Sequence, residues 1–136
     1  MTASWFVDTN VAVYLLDDAE PAKQQIAREL FDSDSVEHLV VSAQVLGEFY
    51  IATTRKLGHG EDVVRAAIAE LSSFPVVPTD LGLVRAGIDT AQRHQLSYWD
   101  ALIIEAAAAA NCDRILTEDL NAGEIIRGVR VVNPFA

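Results

Sequence analysis

Two acidic residues in this 136-residue sequence follow short apolar runs, where carboxylates can do chemistry. Asp8 comes directly after residues 4–7, and Asp119 comes soon after residues 114–117. Both runs are rich in β-branched, aromatic or aliphatic side chains, which predicts buried strands. A carboxylate at the carboxyl end of a strand lies where open α/β sheets place their ligands. The two residues are therefore candidates for a shared site.

Two further acids lie on predicted helices. Glu48 belongs to a helix that Ser42 caps and that runs to about Leu57, and it borders the apolar face of that helix. Asp100 lies at the start of an alanine-rich helix expected over about 101–111. An unpaired carboxylate near a core needs a cation, a hydrogen-bond donor or a raised pKa. If these helices cover a parallel sheet, both acids can face the edge that Asp8 occupies.

Each of the four acids also has a purely structural explanation. Asp8 or Thr9 can cap the helix that follows, because both side chains accept hydrogen bonds from backbone amides. Glu48 can reach from the border of the apolar face into solvent. Asp100 is spaced from Ser97 as in a capping box, with Asp replacing the usual Glu or Gln. What favours chemistry is that all four acids are placed for one edge of one sheet.

Four carboxylates at one edge would repel one another strongly unless a metal ion bound them. Oxygen ligands favour hard cations, Mg²⁺ or Mn²⁺, over zinc. The three histidines, His38, His59 and His94, lack ligand-like spacing and are expected at the surface. The sequence has no Ser-His-acid pattern, glycine-rich phosphate loop or cysteine cluster. Its one cysteine, Cys112, is expected to be a small structural residue.

Composition predicts one domain over residues 1–136, with a substantial core, since 51% of the residues are hydrophobic. A net charge of −10 argues against a broad basic surface for nucleic acid, but it allows a nuclease whose acids bind metal. No apolar run is long enough to cross a membrane, and the first residues do not resemble a secretory signal. We therefore expect a cytoplasmic protein.

The predicted elements follow the order β-α-α-β-α-α-β-α-α-β-(α)-β. This order predicts an α/β fold of three layers, with a mostly parallel central sheet flanked by helices. Prolines bound the short strand within residues 74–78, which indicates a sheet edge or a strand end. The helix after Asp80 is expected to turn Leu81 and Ile88 inward. Residues 121–128 are expected to form a short helix or a turn.

Four segments of the chain resemble the signature segments of PIN-domain ribonucleases, most of all the VapC toxins of type II toxin–antitoxin pairs. They occur in the family's order over essentially the whole chain: residues 7–11 (VDTNV), the helix of Glu48, residues 97–103 (SYWDALI) and residues 116–120 (LTEDL). The resemblance implies a quartet of catalytic, metal-binding acids: Asp8, Glu48, Asp100 and Asp119. It implies Asn10 and Thr117 as polar neighbours of the site, and it leaves Glu118 as an alternative to Asp119.

The resemblance also implies an activity. It is that of a metal-dependent endoribonuclease, which hydrolyses RNA phosphodiester bonds with one or two Mg²⁺ or Mn²⁺ ions, and it implies a homodimer with a cognate antitoxin. Two alternatives stay open: a PIN-like nuclease of RNA processing or of DNA without an antitoxin, and a catalytically silent binding module. A phosphatase with an aspartyl-phosphate intermediate is disfavoured, because Asn10 stands where such enzymes usually need a second aspartate.

Overall fold

The computed structural model describes residues 4–32 and 38–136, so residues 1–3, used in the argument on a secretory signal, lie outside it. The strands are β1 (Ser4–Val7), β2 (His38–Ser42), β3 (Val76–Val77), β4 (Arg114–Leu116), β5 (Ile125–Ile126) and β6 (Val129–Val132). The helices are α1 (Thr9–Val13), α2 (Pro21–Asp32), α3 (Ala43–Ile51), α4 (Glu61–Leu71), α5 (Leu81–His94) and α6 (Tyr98–Ala109). A 3₁₀ turn, Tyr14–Leu16, extends α1, and a π-helical turn, Ala52–Lys56, extends α3.

The strands form one six-stranded sheet in the order β3-β2-β1-β4-β6-β5, parallel except for the β5–β6 pair. This confirms the predicted α/β class and the placement of the proline-bounded strand at an edge. Val7 at the end of β1 pairs with Leu116 at the end of β4. The amide of the next residue, Asp8, donates to the Leu116 carbonyl at 3.0 Å. The register therefore brings Asp8 and Thr117 to the carboxyl edge of the two central strands.

Helices cover both faces of the sheet. Neighbouring residues of a strand point to opposite faces, and on the central strands both are buried. Phe6 and Val7 of β1 are both fully buried, as expected of a parallel strand between two helical layers. Helix α6 is the most buried helix, with an unbroken buried run from Ala101 to Ala107. A smaller apolar cluster, which includes Phe49 and Val64, joins α1, α3 and α4. The core thus fixes the helices that carry Glu48 and Asp100.

The structure corrects two local predictions. Residues 121–128 form no helix: turns lie on both sides of residues 125–126, which form strand β5 and pair antiparallel with β6. The turn between these strands has positive φ at Arg127 (54°) and Gly128 (78°), and such a two-residue turn matches the twist of a hairpin. On α5, Leu81 and Ile88 are 63% and 46% exposed instead of buried. The buried face is centred on Gly87, where an added Cβ would lie 3.1 Å from Leu102 Cδ1.

The helix of Glu48 ends differently from the expected continuous α-helix. After Ile51 the chain widens into the π-helical turn, in which the Leu57 amide donates to the Ala52 carbonyl at 3.2 Å. The Thr53 hydroxyl donates to the Phe49 carbonyl at 2.7 Å, an interaction that competes with regular helical bonding. Gly58, at φ 72°, then stops the helix as predicted.

Candidate active site

Asp8 is buried at the start of α1 and is itself the cap of that helix. Only 8% of the residue is exposed. Its Oδ1 accepts from the Thr9 amide at 2.7 Å, while its Oδ2 accepts from the Thr117 hydroxyl at 2.8 Å and from Asn10 Nδ2 at 3.2 Å. Capping and membership of a polar cluster are thus combined in one carboxylate, because its two oxygens face different donors.

Asn10 joins helix α1 to the loop after β4. Its Nδ2 donates to Thr117 Oγ1 and to Asp119 Oδ2, both at 3.0 Å, and its Oδ1 accepts from the Glu118 amide at 3.1 Å. Thr117 Oγ1 also accepts from the Asp119 amide at 3.1 Å. Asn10 and Thr117 therefore hold the carboxylates of Asp8 and Asp119 on either side of a shared amide.

Glu48 turns toward α1 and lies only partly exposed. Its Oε1 accepts from the Thr9 hydroxyl at 2.7 Å, and its Oε2 accepts from Gln44 Nε2 at 3.4 Å. Glu48 thus connects to Asp8 through a single residue, Thr9, whose amide and hydroxyl contact one acid each. We call Asp8, Glu48 and Asp119 the acid cluster. Neither Thr9 nor Gln44 was predicted as a supporting residue. Their only sequence signals are adjacency to Asp8 and a position one helical turn before Glu48.

Asp100 is connected to the acid cluster through the backbone of the preceding residue, Trp99. The Asp100 amide donates to the Ser97 hydroxyl at 3.1 Å, so Ser97 caps α6 as predicted. The carbonyl of Trp99 accepts from Gln44 Nε2 at 3.3 Å, and the same amide group contacts Glu48. Within the described residues, the Asp100 carboxylate makes no hydrogen bond to the other three acids. The fold brings Asp8, Glu48 and Asp119 together and places Asp100 at the margin.

The acid cluster has an unfavourable electrostatic environment. The pKa of Asp8 is raised from 3.8 to about 6, chiefly by burial and to a smaller extent by the negative charges of Asp119 and Glu48. Hydrogen bonds from Thr117 and Thr9 partly oppose that rise. The ion pairs formed by residues 4–32 and 38–136 are Lys23–Glu118 and Arg127–Glu105, and neither reaches the cluster. The charge of Asp8 is therefore met by neutral donors alone.

Glu118, the alternative to Asp119, belongs to a separate hydrogen-bonded group that includes its own cation. Lys23 Nζ lies 3.0 Å from Glu118 Oε2, and the Tyr14 hydroxyl donates to Glu118 Oε1. Burial alone would raise the pKa of Glu118, but the hydrogen bonds from Tyr14 and Lys23 hold it below its usual value. Asp119 instead shares the amide of Asn10 with Asp8. Position and charge balance both distinguish the two acids.

The remaining candidates for chemistry are accounted for structurally. Burial raises the pKa of the Cys112 thiol to about 12, so it stays protonated near neutral pH. His38 and His94 are exposed, as predicted, whereas His59 is half-buried and its Nε2 contacts the Leu16 carbonyl. None of the three histidines contributes a bond to the acid cluster within the described part of the chain.

The donor set of the acid cluster suits a hard divalent cation, because its acceptors are carboxylate and hydroxyl oxygens that lack a compensating positive charge. The side chains are not already arranged as a coordination shell. In residues 4–32 and 38–136, no three carboxylate, imidazole or thiolate groups form a group that could hold one metal ion. A cleft of about 340 Å³, lined in part by Thr9, Asn10 and Asp119, opens beside the cluster.

A comparison with known protein families identifies the family to which the chain belongs. Residues 5–127 match the family model of the PIN domain. The chain belongs to the PIN domain family. No curated protein sequence matches this PIN domain. In the described ranges, none of its helices has the length and apolar character needed to span a bilayer.

Solved structures share the fold of this PIN domain. VapC20 of Mycobacterium tuberculosis, a sarcin–ricin loop cleaving toxin, is 24% identical, with a TM-score of 0.65 over 85% of this chain and 91% of that chain. A toxin–antitoxin complex from Klebsiella pneumoniae is 21% identical, with a TM-score of 0.71 over 95% and 96%. VapBC2 of Rickettsia felis, bound to a DNA fragment from its promoter, is 15% identical, with a TM-score of 0.64 over 94% and 96%.

Proposed function

We propose that this PIN domain is a metal-dependent endoribonuclease and the toxin of a toxin–antitoxin pair. The observation that carries the proposal is the acid cluster at the carboxyl ends of β1 and β4. It holds a buried carboxylate, Asp8, beside two further acids, with no cation paired to any of them in the described residues. Such an arrangement is costly for a folded chain, and a cation supplied from solution would remove that cost.

Asp8, Glu48 and Asp119, together with Asp100 from the margin, would hold one or two Mg²⁺ or Mn²⁺ ions. When bound, such an ion polarises a phosphodiester and lowers the pKa of a coordinated water. The surrounding residues orient the ligands: Thr117 and Asn10 fix Asp8 and Asp119, while Thr9 fixes one oxygen of Glu48. The site therefore has its supporting hydrogen bonds in place before a metal binds.

Glu48 and Asp119 are the groups that would orient the attacking water and accept its proton. In Glu48, Oε1 is engaged by the Thr9 hydroxyl at 2.7 Å, whereas Oε2 has only the longer contact of 3.4 Å from Gln44. Oε2 is thus the oxygen available to a water molecule. Asp119 is exposed at the edge of the 340 Å³ cleft, where an entering phosphodiester can reach it.

The proposed partners follow from family and charge. We assign RNA as the substrate and a cognate antitoxin as the protein partner, in a homodimeric toxin of the cytoplasm. Two structures of similar fold are toxin–antitoxin assemblies, which supports the antitoxin. A basic antitoxin side chain inserted among the acids would compensate them as the metal does. The net charge of −10 also favours a basic partner.

Cleavage of structured RNAs and single-stranded DNA by purified protein tests the activity. We expect RNA cleavage with Mg²⁺ or Mn²⁺, none with EDTA, and none by Asp8→Asn under any of these conditions. Asp89→Asn is the matched control, because Asp89 is exposed on α5 and makes no side-chain hydrogen bond within the described residues. Equal cleavage by wild type and Asp8→Asn would point to a contaminating nuclease and reject the assignment.

Expression in a bacterial host tests the toxin assignment separately. Wild-type protein should arrest growth, Asp100→Asn should not, and an antitoxin encoded by an adjacent gene should restore growth. Cleavage in vitro without growth arrest would indicate a nuclease of RNA processing instead. Folded protein without cleavage of any substrate would indicate a silent binding module.

A further inference from the structure

Trp99 is a large, mostly apolar side chain that is exposed to solvent, next in sequence to the candidate acid Asp100. It is 61% exposed in the first turn of α6, directly before Asp100. Its ring packs edge-to-face on Tyr98, with centroids 5.0 Å apart and an interplanar angle of 70°. Tyr98 in turn packs against the main core. The indole is thus supported on one side by a fixed ring and open on the other.

A continuous series of hydrogen bonds connects the backbone of Trp99 to Asp8. The Trp99 carbonyl accepts from Gln44 Nε2 at 3.3 Å, and Gln44 Nε2 contacts Glu48 Oε2 at 3.4 Å. Glu48 Oε1 accepts from the Thr9 hydroxyl at 2.7 Å, and the Thr9 amide donates to Asp8 at 2.7 Å. These bonds link the backbone of Trp99, from which the indole extends, to the acids at which the phosphodiester would be cut.

The charge of the protein limits how it can hold RNA. With a net charge of −10 it cannot rely on neutralising many phosphates, which is the usual source of affinity for nucleic acids. Stacking of bases on aromatic rings supplies affinity without positive charge and tolerates any base. It requires an unpaired base, because the bases of a duplex already stack on one another. An exposed indole at the edge of an acidic site meets these conditions.

We propose that Trp99 stacks on an unpaired base next to the scissile phosphate and so contributes affinity for unpaired segments of the RNA. The inference rests on the proposed nuclease function. It assigns to Trp99 a role in substrate binding and not in the chemical step. Loss of the ring should therefore raise KM more than it lowers kcat.

Binding measurements in an Asp8→Asn background test the proposal without cleavage. The chain has two tryptophans, so Trp5→Phe leaves Trp99 as the sole reporter of indole fluorescence. The probes are a six-nucleotide oligoadenylate and the same strand paired with its complement, both with Mg²⁺. We expect the single strand to quench Trp99 fluorescence and the duplex to have little effect. Equal quenching by both would contradict the preference for unpaired bases.

Affinity variants, measured by fluorescence anisotropy of the labelled single strand, complete the test. Trp99→Ala should weaken binding about 10-fold, and Trp99→Phe should retain most of the affinity, because stacking on one ring changes affinity by roughly 5- to 150-fold. Leu81→Ala is the matched control, since Leu81 is 63% exposed on the other helix of the α5–α6 pair. Its affinity should equal that of the parent protein.

Three further outcomes would overturn the inference. Cleavage by wild type together with unchanged affinity in Trp99→Ala would reject stacking while leaving the nuclease assignment intact. Conversion of a dimer to a monomer by Trp99→Ala, seen by analytical ultracentrifugation, would assign the ring to an interface between two copies. Absence of both cleavage and binding of any RNA by the wild-type protein would reject the proposed function and the inference together.

Discussion

Asp8 and Glu105 are both buried carboxylates, 8% and 5% exposed, but only Glu105 is paired with a cation among the described residues. Glu105 Oε2 accepts from the Thr90 hydroxyl at 2.7 Å and from Arg127 Nε at 2.9 Å. These bonds tie α5, α6 and the β5–β6 turn together around a balanced charge. Asp8 has neutral donors and two neighbouring acids.

The comparison teaches that the partners of a buried acid, more than its burial, indicate its role. A carboxylate with its own cation within the chain, such as Glu105 or Glu118, is explained by the fold. A carboxylate without one is strained by its surroundings until a cation arrives from outside. On this reasoning we propose the acid cluster as a site for a ligand, whereas Glu105 stabilises the fold.

Neutralising Glu48 of the acid cluster should abolish most of the activity, whereas neutralising Glu105 should leave the activity almost unchanged, and this contrast is the largest effect we expect. Glu48→Gln should lower kcat about 1000-fold, equivalent to about 4 kcal/mol, because a proton acceptor and metal ligand is lost. It should fold normally, since relief of repulsion offsets lost contacts. Glu105→Gln should keep cleavage within about 2-fold but lose about 1 kcal/mol of stability, because a neutral amide replaces the carboxylate that pairs with the Arg127 guanidinium.

Cleavage assays and urea denaturation on the same two preparations measure this contrast. A large loss of activity in Glu105→Gln, or unchanged activity in Glu48→Gln, would contradict the assignment of different roles to the acid cluster and to Glu105.

The pH dependence of stability should reveal the strained charge of Asp8 in protein stripped of metal with EDTA. The folded chain holds the Asp8 proton up to about pH 6, whereas the unfolded chain releases it near pH 3.8. Ionised Asp8 therefore destabilises the folded state above pH 6, and the penalty fades as the pH falls toward 4. We expect Asp8→Asn to be more stable than wild type at pH 7 by on the order of 3 kcal/mol, with the difference lost near pH 4.

Free energies of unfolding of both proteins across this pH range, with Asp89→Asn as the exposed control, measure the effect. A difference that stays constant with pH would show that the charge of Asp8 is not its cause.

Removing Arg127, the cation paired with Glu105, should leave Glu105 as a buried carboxylate without a cation, like Asp8. Arg127→Met leaves Glu105 buried with the Thr90 hydroxyl as its remaining partner. Because the Arg127 side chain is 50% exposed, solvent screens the pair, and we expect a loss of only about 1 kcal/mol. Adding Glu105→Gln to this variant should recover part of the loss, since the uncompensated charge is gone. Equal stability of the single and double variants in urea would argue against charge compensation.

Glu118→Gln should have the smallest effect on cleavage. Its carboxylate is engaged by Lys23 and Tyr14, so we expect activity within about 3-fold of wild type, in the range of surface ion-pair variants. Asp119→Asn is the paired comparison and should lose most of its activity, because Asp119 shares the amide of Asn10 with Asp8. Greater loss in Glu118→Gln than in Asp119→Asn would exchange the roles of the two acids.

Local sequence patterns were sufficient for the class of fold and for the position of several elements. Short apolar runs, the caps Ser42 and Ser97 and the prolines around β3 all act within a few residues, and these predictions are confirmed. The inward face of α5 was mispredicted because its packing depends on close approach of α6 at Gly87, a contact between separate helices.

The candidate site was predictable only in its outline. The position of Asp8 after β1 and of Thr117 after β4 follows from parallel pairing, which a pattern of strands implies. The role of Asn10 as a link between four residues and the pairing of Glu105 with Arg127 depend on contacts across 107 and 22 positions of sequence, which periodicity does not encode. The partners that distinguish Glu105 from Asp8 are found only in three dimensions.

The most direct test of a cation site at the acid cluster is thermal unfolding with and without divalent metal. Mg²⁺ or Mn²⁺ well above its Kd should raise the Tm of wild type by about 5 °C or more over the EDTA value, because a ligand that binds only the folded state stabilises it. Asp8→Asn should show little of this rise, while Glu105→Gln should show all of it. Equal shifts in wild type and Asp8→Asn, or no shift in wild type, would contradict the account.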